Sequence, residues 1–174
     1  TSSINGMMYI RGHRRDYDGW AESGLDGWSY SEVLPYFKRA ECNRDRNDLF
    51  HGNDGPFIAR QAKSNNPLYP VFLEACRQAG HPATDDFNGA EQEGVGRQDF
   101  NIEKGRRVCS ATAYLAPAQG RANLRVVTRA HATRLLFQGT RAVGVEYARG
   151  GRGGERKEAR ATREVIVCGG AVNS

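Results

Sequence analysis

The stretch ATRLLFQGTRAVGVEYA, residues 132–148, carries the reading of the fold. Its two apolar runs, ATRLLF and AVGVEYA, flank Gly139-Thr140-Arg141, and a short Gly-containing link between two such runs is a hairpin signal. The segment RGGRGGERK that follows reads as a wide turn or mobile loop, and a further strand near residues 158–162 would complete a three-stranded antiparallel meander. On the near side, LRVVT at residues 124–128 begins the block of strands. On the far side lies VIVC, residues 165–168, a continuous apolar run of the kind a buried parallel strand shows. It runs straight into Gly169-Gly170-Ala171. A strand ending on small residues is how α/β proteins bring backbone N–H groups to a phosphate, and a plain tight turn accounts for the same residues equally well.

Toward the N-terminus the chain alternates between helical and strand-like patterns. SATAYLAPA, from Ser110, reads as a helix ended by Pro117 and Gly120, and VGRQDFNI alternates like a strand. ATDDFNGAEQEG is a turn-rich connection. Its Asp85, Asp86, Asn88 and Gly89 superficially suggest calcium, but the alternate ligand spacing and the distant Glu of a calcium loop are missing. Asn66-Pro67 opens a helix with Leu68, Val71, Phe72, Ala75 and Cys76 facing inward, and Gly80 stops it. GPFIARQ is a short strand, and polar residues 43–55 form a loop. A helix starts at Ser29 or Ser31, presents Val33, Leu34, Tyr36 and Phe37 on one face, and carries Pro35 near its first turn. Asp16 caps a shorter helix bearing Tyr17 and Trp20, which Gly24 ends.

The first residues, TSSINGMMYIRG, are small and hydroxylated and pass through Asn5-Gly6 into an apolar segment. Small residues let a backbone approach a flat or phosphorylated ligand, and Asn-Gly tolerates positive φ, although a turn entering a buried element explains them as well.

Composition narrows the class. With 39% hydrophobic and 26% charged residues over 174 positions, the chain has the balance of a globular protein able to bury a core. No apolar run is long enough for a membrane-spanning helix. The net charge of +5 is concentrated in residues 121–163, where eleven Lys or Arg face only Glu146, Glu155 and Glu158. A nucleic-acid-binding module is the rival this raises. These arginines alternate with apolar residues and no aromatic run accompanies them, so the solvated face of strands is the preferred reading and no nucleic-acid partner is expected. Cys42, Cys76, Cys109 and Cys168 form no C-x-x-C pair, and His13, His51, His81 and His131 supply no close ligand pairs, so no metal is expected.

Taken in order, SSINGMMYIRGH, DYDGWAESGLDGWSYSEVLPYFKRAE, HGNDGP, TDDFNGAEQEGVG, GRRVCSATAYL, NLRVVTRAHATRLLF, RAVGVEY and EVIVCGGAVNS resemble the glucose–methanol–choline flavoenzymes over essentially the whole chain. The likeness is strongest to choline dehydrogenase-like and alcohol dehydrogenase-like members. The resemblance implies a mixed α/β fold: a Rossmann-like FAD-binding domain with an attached three-stranded antiparallel meander, and part of an antiparallel-sheet substrate domain. It divides the chain into residues 1–54 (FAD domain, with the flavin-facing stretch and a lid), 55–103 (substrate domain) and 104–174 (FAD domain with the meander). It implies oxidation of an alcohol CH–OH, in choline or an aliphatic alcohol, to the aldehyde by hydride transfer to FAD. The electron acceptor would be a quinone or other carrier, or oxygen. A non-catalytic relative is a further alternative.

The resemblance also implies site residues. Asn5, Gly6 and Met8 occupy positions that touch the isoalloxazine, and Thr1 and Ser2 lie near the cofactor phosphates. Ala132 falls where adenine is met by backbone atoms, and Gly169 falls near the pyrophosphate. Some relatives attach FAD through a histidine just before the asparagine. Ile4 stands there, so the flavin is expected to be non-covalent. Where many relatives read R-R-x-S-T-A, this chain has Cys109-Ser110-Ala111, a change that keeps size and weakens a hydrogen bond. The family's G-x-G-x-x-G unit would precede Thr1 and its catalytic histidine would follow Ser174, so no catalytic residue is expected among these 174. The chain thus reads as an internal segment, inactive alone, of a protein that is cytoplasmic or peripheral to the inner membrane.

Overall fold

A computed structural model of the chain describes residues 4–172 and Ser174. It contains two compact units, Thr1–Gln119 and Gly120–Ser174.

In the first unit, α1 (Arg14–Glu22) begins at His13, whose ring Nδ1 accepts the Arg15 N–H at 3.1 Å while Asp16 accepts the His13 N–H at 2.7 Å. Asp16 is therefore the reciprocal partner in a capping box rather than the cap expected from sequence: the helix starts one residue after His13, which puts the carboxylate where it reaches back. α2 (Tyr30–Ala40) starts from Ser29, as its sequence suggests, with Glu32 closing a second capping box. Pro35 sits in the second turn of α2, not near the first, and is exposed. The two helices bury Tyr17, Tyr30 and Val33 against Leu34 and Phe37, with Tyr17 in edge contact with Phe37 at 5.6 Å between centroids.

α2 leads directly into β1 (Glu41–Asn43), which pairs parallel with β2 (Phe57–Gln61); β2 pairs antiparallel with β3 (Asp99–Phe100). β4 (Ile102–Glu103) and β5 (Arg106–Arg107) form a hairpin. A helical segment follows, one π-turn at Ala111–Leu115 and then α4 (Ala116–Ala118). α3 (Leu68–Gln78) occupies its expected place, but Leu68, Val71, Phe72 and Ala75 are exposed and do not face inward, because among the described residues no other element of this unit covers them.

The second unit is the meander. β6 (Ala130–Gln138), β7 (Arg141–Arg149) and β8 (Glu155–Arg160) pair antiparallel in that order. Gln138 pairs with Arg141 across Gly139-Thr140, and Gly139 takes φ 60°, the left-handed conformation such a two-residue link needs. β8 starts earlier than expected because the turn before it is short. Two expectations fail here. Residues 124–128 form no strand, and neither does VIVC at 165–168, where Ile166 is 75% exposed. A parallel strand needs neighbours to bond its N–H and C=O groups, and among the described residues none lies beside either run. No helix among the described residues is long and apolar enough to cross a membrane.

Candidate functional site

The strip of residues 5–12 is held on both edges. On one side Met8 bridges antiparallel to Phe100: the Asn101 N–H donates to Met7 O at 3.0 Å and the Tyr9 N–H to Asp99 O at 2.8 Å. In that register Met8's own N–H and C=O point away from the sheet, and the residue is 58% exposed. Before it, Asn5 Oδ1 accepts the Met7 N–H at 2.7 Å, a local turn that supports Met7 at φ 63°. Arg107 of β5 donates to both Asn5 Oδ1 and Asn5 O. Gly6 is exposed, with open space where a Cβ would stand.

On the other side, side chains replace a strand. Asn88 Nδ2 donates to Tyr9 O at 3.0 Å and its Oδ1 accepts the Arg11 N–H at 2.7 Å. Gln92 Nε2 then donates to Arg11 O at 2.8 Å. An amide side chain carries a donor and an acceptor in one plane, so Asn88 pairs with two backbone groups as a neighbouring strand would.

Asn88 is itself anchored in a closed ring of five residues. Its N–H donates to Asp86 Oδ1 at 2.9 Å; Asp86 Oδ2 lies 2.9 Å from His51 Nε2; His51 Nδ1 lies 3.0 Å from Glu41 Oε1. Glu41 Oε2 accepts from Arg11 at 2.6 Å, which returns to the strip. Both ring nitrogens of His51 face carboxylate oxygens, so both donate and the ring is an imidazolium. Burial alone would lower the His51 pKa, but the hydrogen bonds to Asp86 and Glu41 and their charges outweigh it and lift it to about 9. Asp86 feels the same balance: burial pushes it up, yet the His51 bond, the Asn88 N–H and the charges of His51 and Arg46 hold it below the usual range. Asp99, which accepts from Asn43 at 3.0 Å and lies 3.5 Å from Arg46, is pushed up by burial despite those partners. Gly52 completes the enclosure, its N–H donating to Glu41 Oε2 at 3.1 Å.

Asp48, His51 and Asp86 hold ligand-type atoms within 4.8 Å of one another. His51 Nε2 spends its lone pair on a proton and Arg46 stands 3.7 Å from Asp86, so positive charge is already supplied there and the trio is not assigned to a metal.

Of the residues singled out in the sequence, Asn5, Gly6 and Met8 share one exposed run of the first unit. Ala132 is exposed on β6, paired with Tyr147, and Gly169 lies exposed at a bend; both belong to the second unit. Thr1 and Ser2 lie outside the described residues. Sequence reasoning missed Asn88, Gln92, Arg107 and His51. The only signal was the pair of amides four apart in a turn-rich segment, and nothing marked His51 as buried.

Residues 1–174 match the family described as GMC oxidoreductase. Mitochondrial choline dehydrogenase of Mus musculus is 47% identical over 174 residues, covering all of this chain and 29% of that protein. Oxygen-dependent choline dehydrogenase of Burkholderia ambifaria is 49% identical over 177 residues, covering all of this chain and 31% of that protein. The chain thus spans under a third of the length of these relatives. Among solved structures, pyridoxine 4-oxidase from Mesorbium loti superposes with a TM-score of 0.82 at 33% identity, over 91% of this chain and 31% of that one. An FAD-dependent oxidoreductase from Chaetomium thermophilum shares the fold, with a TM-score of 0.85 over 92% of this chain and 30% of that one, at 24% identity.

Proposed function

The chain belongs to the GMC oxidoreductase family, and from that premise we propose that the protein is an FAD-dependent oxidoreductase that converts an alcohol CH–OH to the aldehyde. Bound FAD would supply the hydride acceptor. The observation that carries the reading is the open edge at Gly6–Met8. This backbone is pinned on both flanks, yet among the described residues nothing bonds the Met8 N–H and C=O or fills the space at Gly6, which suits a flat, polar-edged ring.

In this reading Asn5, Gly6 and Met8 line the flavin ring, and Thr1 and Ser2 approach its phosphates. Ala132 meets the adenine through its backbone and Gly169 the pyrophosphate. The hydrocarbon side chain of Ile4 offers no nucleophile, so the flavin is held without a covalent bond. Residues 1–54 and 104–174 serve the FAD domain and residues 55–103 the substrate domain. His51 is spent in its ring and His13 in capping α1, so neither is free to take a substrate proton.

The names of the relatives favour choline as substrate, with an aliphatic alcohol as the competing choice. They leave a quinone-type carrier and oxygen both open as electron acceptor. The test is the flavin content of the intact protein. A yellow protein that releases FAD on denaturation is expected; an intact, folded protein that neither carries nor takes up FAD contradicts the proposal.

A further inference from the structure

The weak link of the five-residue ring is identifiable. His51 faces Glu41 and Asn43 from β1, Asp86 from the 84–92 loop, and Asp48 through its own N–H; Arg46, Asp99 and Arg11 stand one residue further out. A neutral imidazole has one N–H for two carboxylates, so one carboxylate would then face a lone pair in a buried site. Glu41 cannot move: it is fully buried and also holds Arg11 and the Gly52 N–H. Asp86 can, since it is partly exposed and sits on a loop.

We propose that Asn88 is a positioning residue for the cofactor-facing strip and that the proton on His51 keeps it in place. Loss of that proton frees Asp86, then Asn88, and loosens residues 9–11, so the protein holds flavin less tightly in alkaline solution. The proposal rests on the reading of residues 5–8 as the flavin contact. The clamp is two hydrogen bonds from one amide, and the strip it holds is continuous with Met8.

The experiment measures FAD affinity of the intact protein across neutral to alkaline pH, with tryptophan fluorescence reporting global unfolding. Affinity is expected to fall by up to about tenfold per pH unit once His51 titrates, before the tryptophan signal changes. His51→Gln should abolish that alkaline step. Asn88→Ala, which leaves the buried charges intact, should bind FAD about tenfold more weakly at neutral pH and show a flatter profile. An unchanged step in His51→Gln, or wild-type affinity and profile in Asn88→Ala, overturns the proposal. Exchange of the Arg11 amide, corrected for its intrinsic pH dependence, is read in the same samples. If no FAD binds at any pH, the flavin reading fails on its own, and the clamp stands or falls on whether that exchange accelerates in the wild type and not in His51→Gln.

Discussion

His51 Nδ1 lies 3.0 Å from Glu41 Oε1, and neither side chain has any exposure. Glu41 serves two cations at once, since its other oxygen holds Arg11 at 2.6 Å. Removing one partner of a buried pair leaves an uncompensated charge, which typically costs about 3–5 kcal/mol. Glu41→Gln strands both cations and is expected to destabilise the intact protein at the upper end of that range in urea unfolding. A loss under about 1 kcal/mol, the level of an exposed pair, would show that the ring is not held by charge.

The stability of the fold should depend on alkaline pH through His51. Its folded pKa is raised from 6.5 to about 9. The stability it contributes is therefore fully present below the unfolded value and is lost as pH rises through the folded value, amounting to roughly 3 kcal/mol across that window. Urea midpoints measured at neutral and alkaline pH check this. Stability that stays flat or rises over the window contradicts an imidazolium in the ring. Asp86 acts at the opposite end: its lowered pKa contributes stability that is lost as pH falls through the folded value.

Two glycines separate folding from binding. A Cβ at Gly52 would stand 2.0 Å from the backbone oxygen of Lys38, whereas a Cβ at Gly6 meets nothing within 4 Å. Gly52→Ala should cost at least ~2 kcal/mol of stability, because backbone on both sides must shift. Gly6→Ala should leave the melting temperature unchanged and weaken FAD binding. If both variants melt alike, the close approach at Gly52 is not what encloses Glu41.

Arg107 anchors Asn5 through two guanidinium hydrogen bonds, one to the side chain and one to the backbone. Arg107→Ala should reduce FAD affinity about tenfold, roughly the worth of one charge-assisted bond transmitted through Asn5. Asn5→Leu should weaken flavin binding or alter its redox behaviour. Unchanged FAD content and absorbance in both variants would remove Asn5 from the flavin contact.

Local patterns in the chain foretold much of this. The meander was legible because two apolar runs flank the short Gly139-Thr140-Arg141 link, and α2 because Val33, Leu34, Tyr36 and Phe37 line up on one face just after the serines at 29 and 31. β1 was not: three residues, Glu-Cys-Asn, carry no period, and they are a strand because β2 pairs with them. VIVC has the composition of a parallel strand, yet composition cannot supply a neighbour to bond. The ring was invisible for a similar reason. Its members come from positions 11, 41, 51, 86 and 88, and a histidine in a polar loop looks like any exposed histidine until the fold places carboxylates on both sides. Asp85, Asp86, Asn88 and Gly89 read as a turn, which they are; that the turn also supplies the clamp on residues 9–11 depends on tertiary contact alone.

We propose that this chain forms the flavin-side wall of an alcohol-oxidising enzyme. It is tested most directly by mixing the intact, FAD-loaded protein anaerobically with choline, and separately with an aliphatic alcohol, while following the visible absorbance of the flavin. Bleaching by at least one of the two, slowed or lost in Asn5→Leu, is the expected result. A flavin that stays oxidised with both alcohols yet is readily reduced by a chemical reductant would contradict the claim.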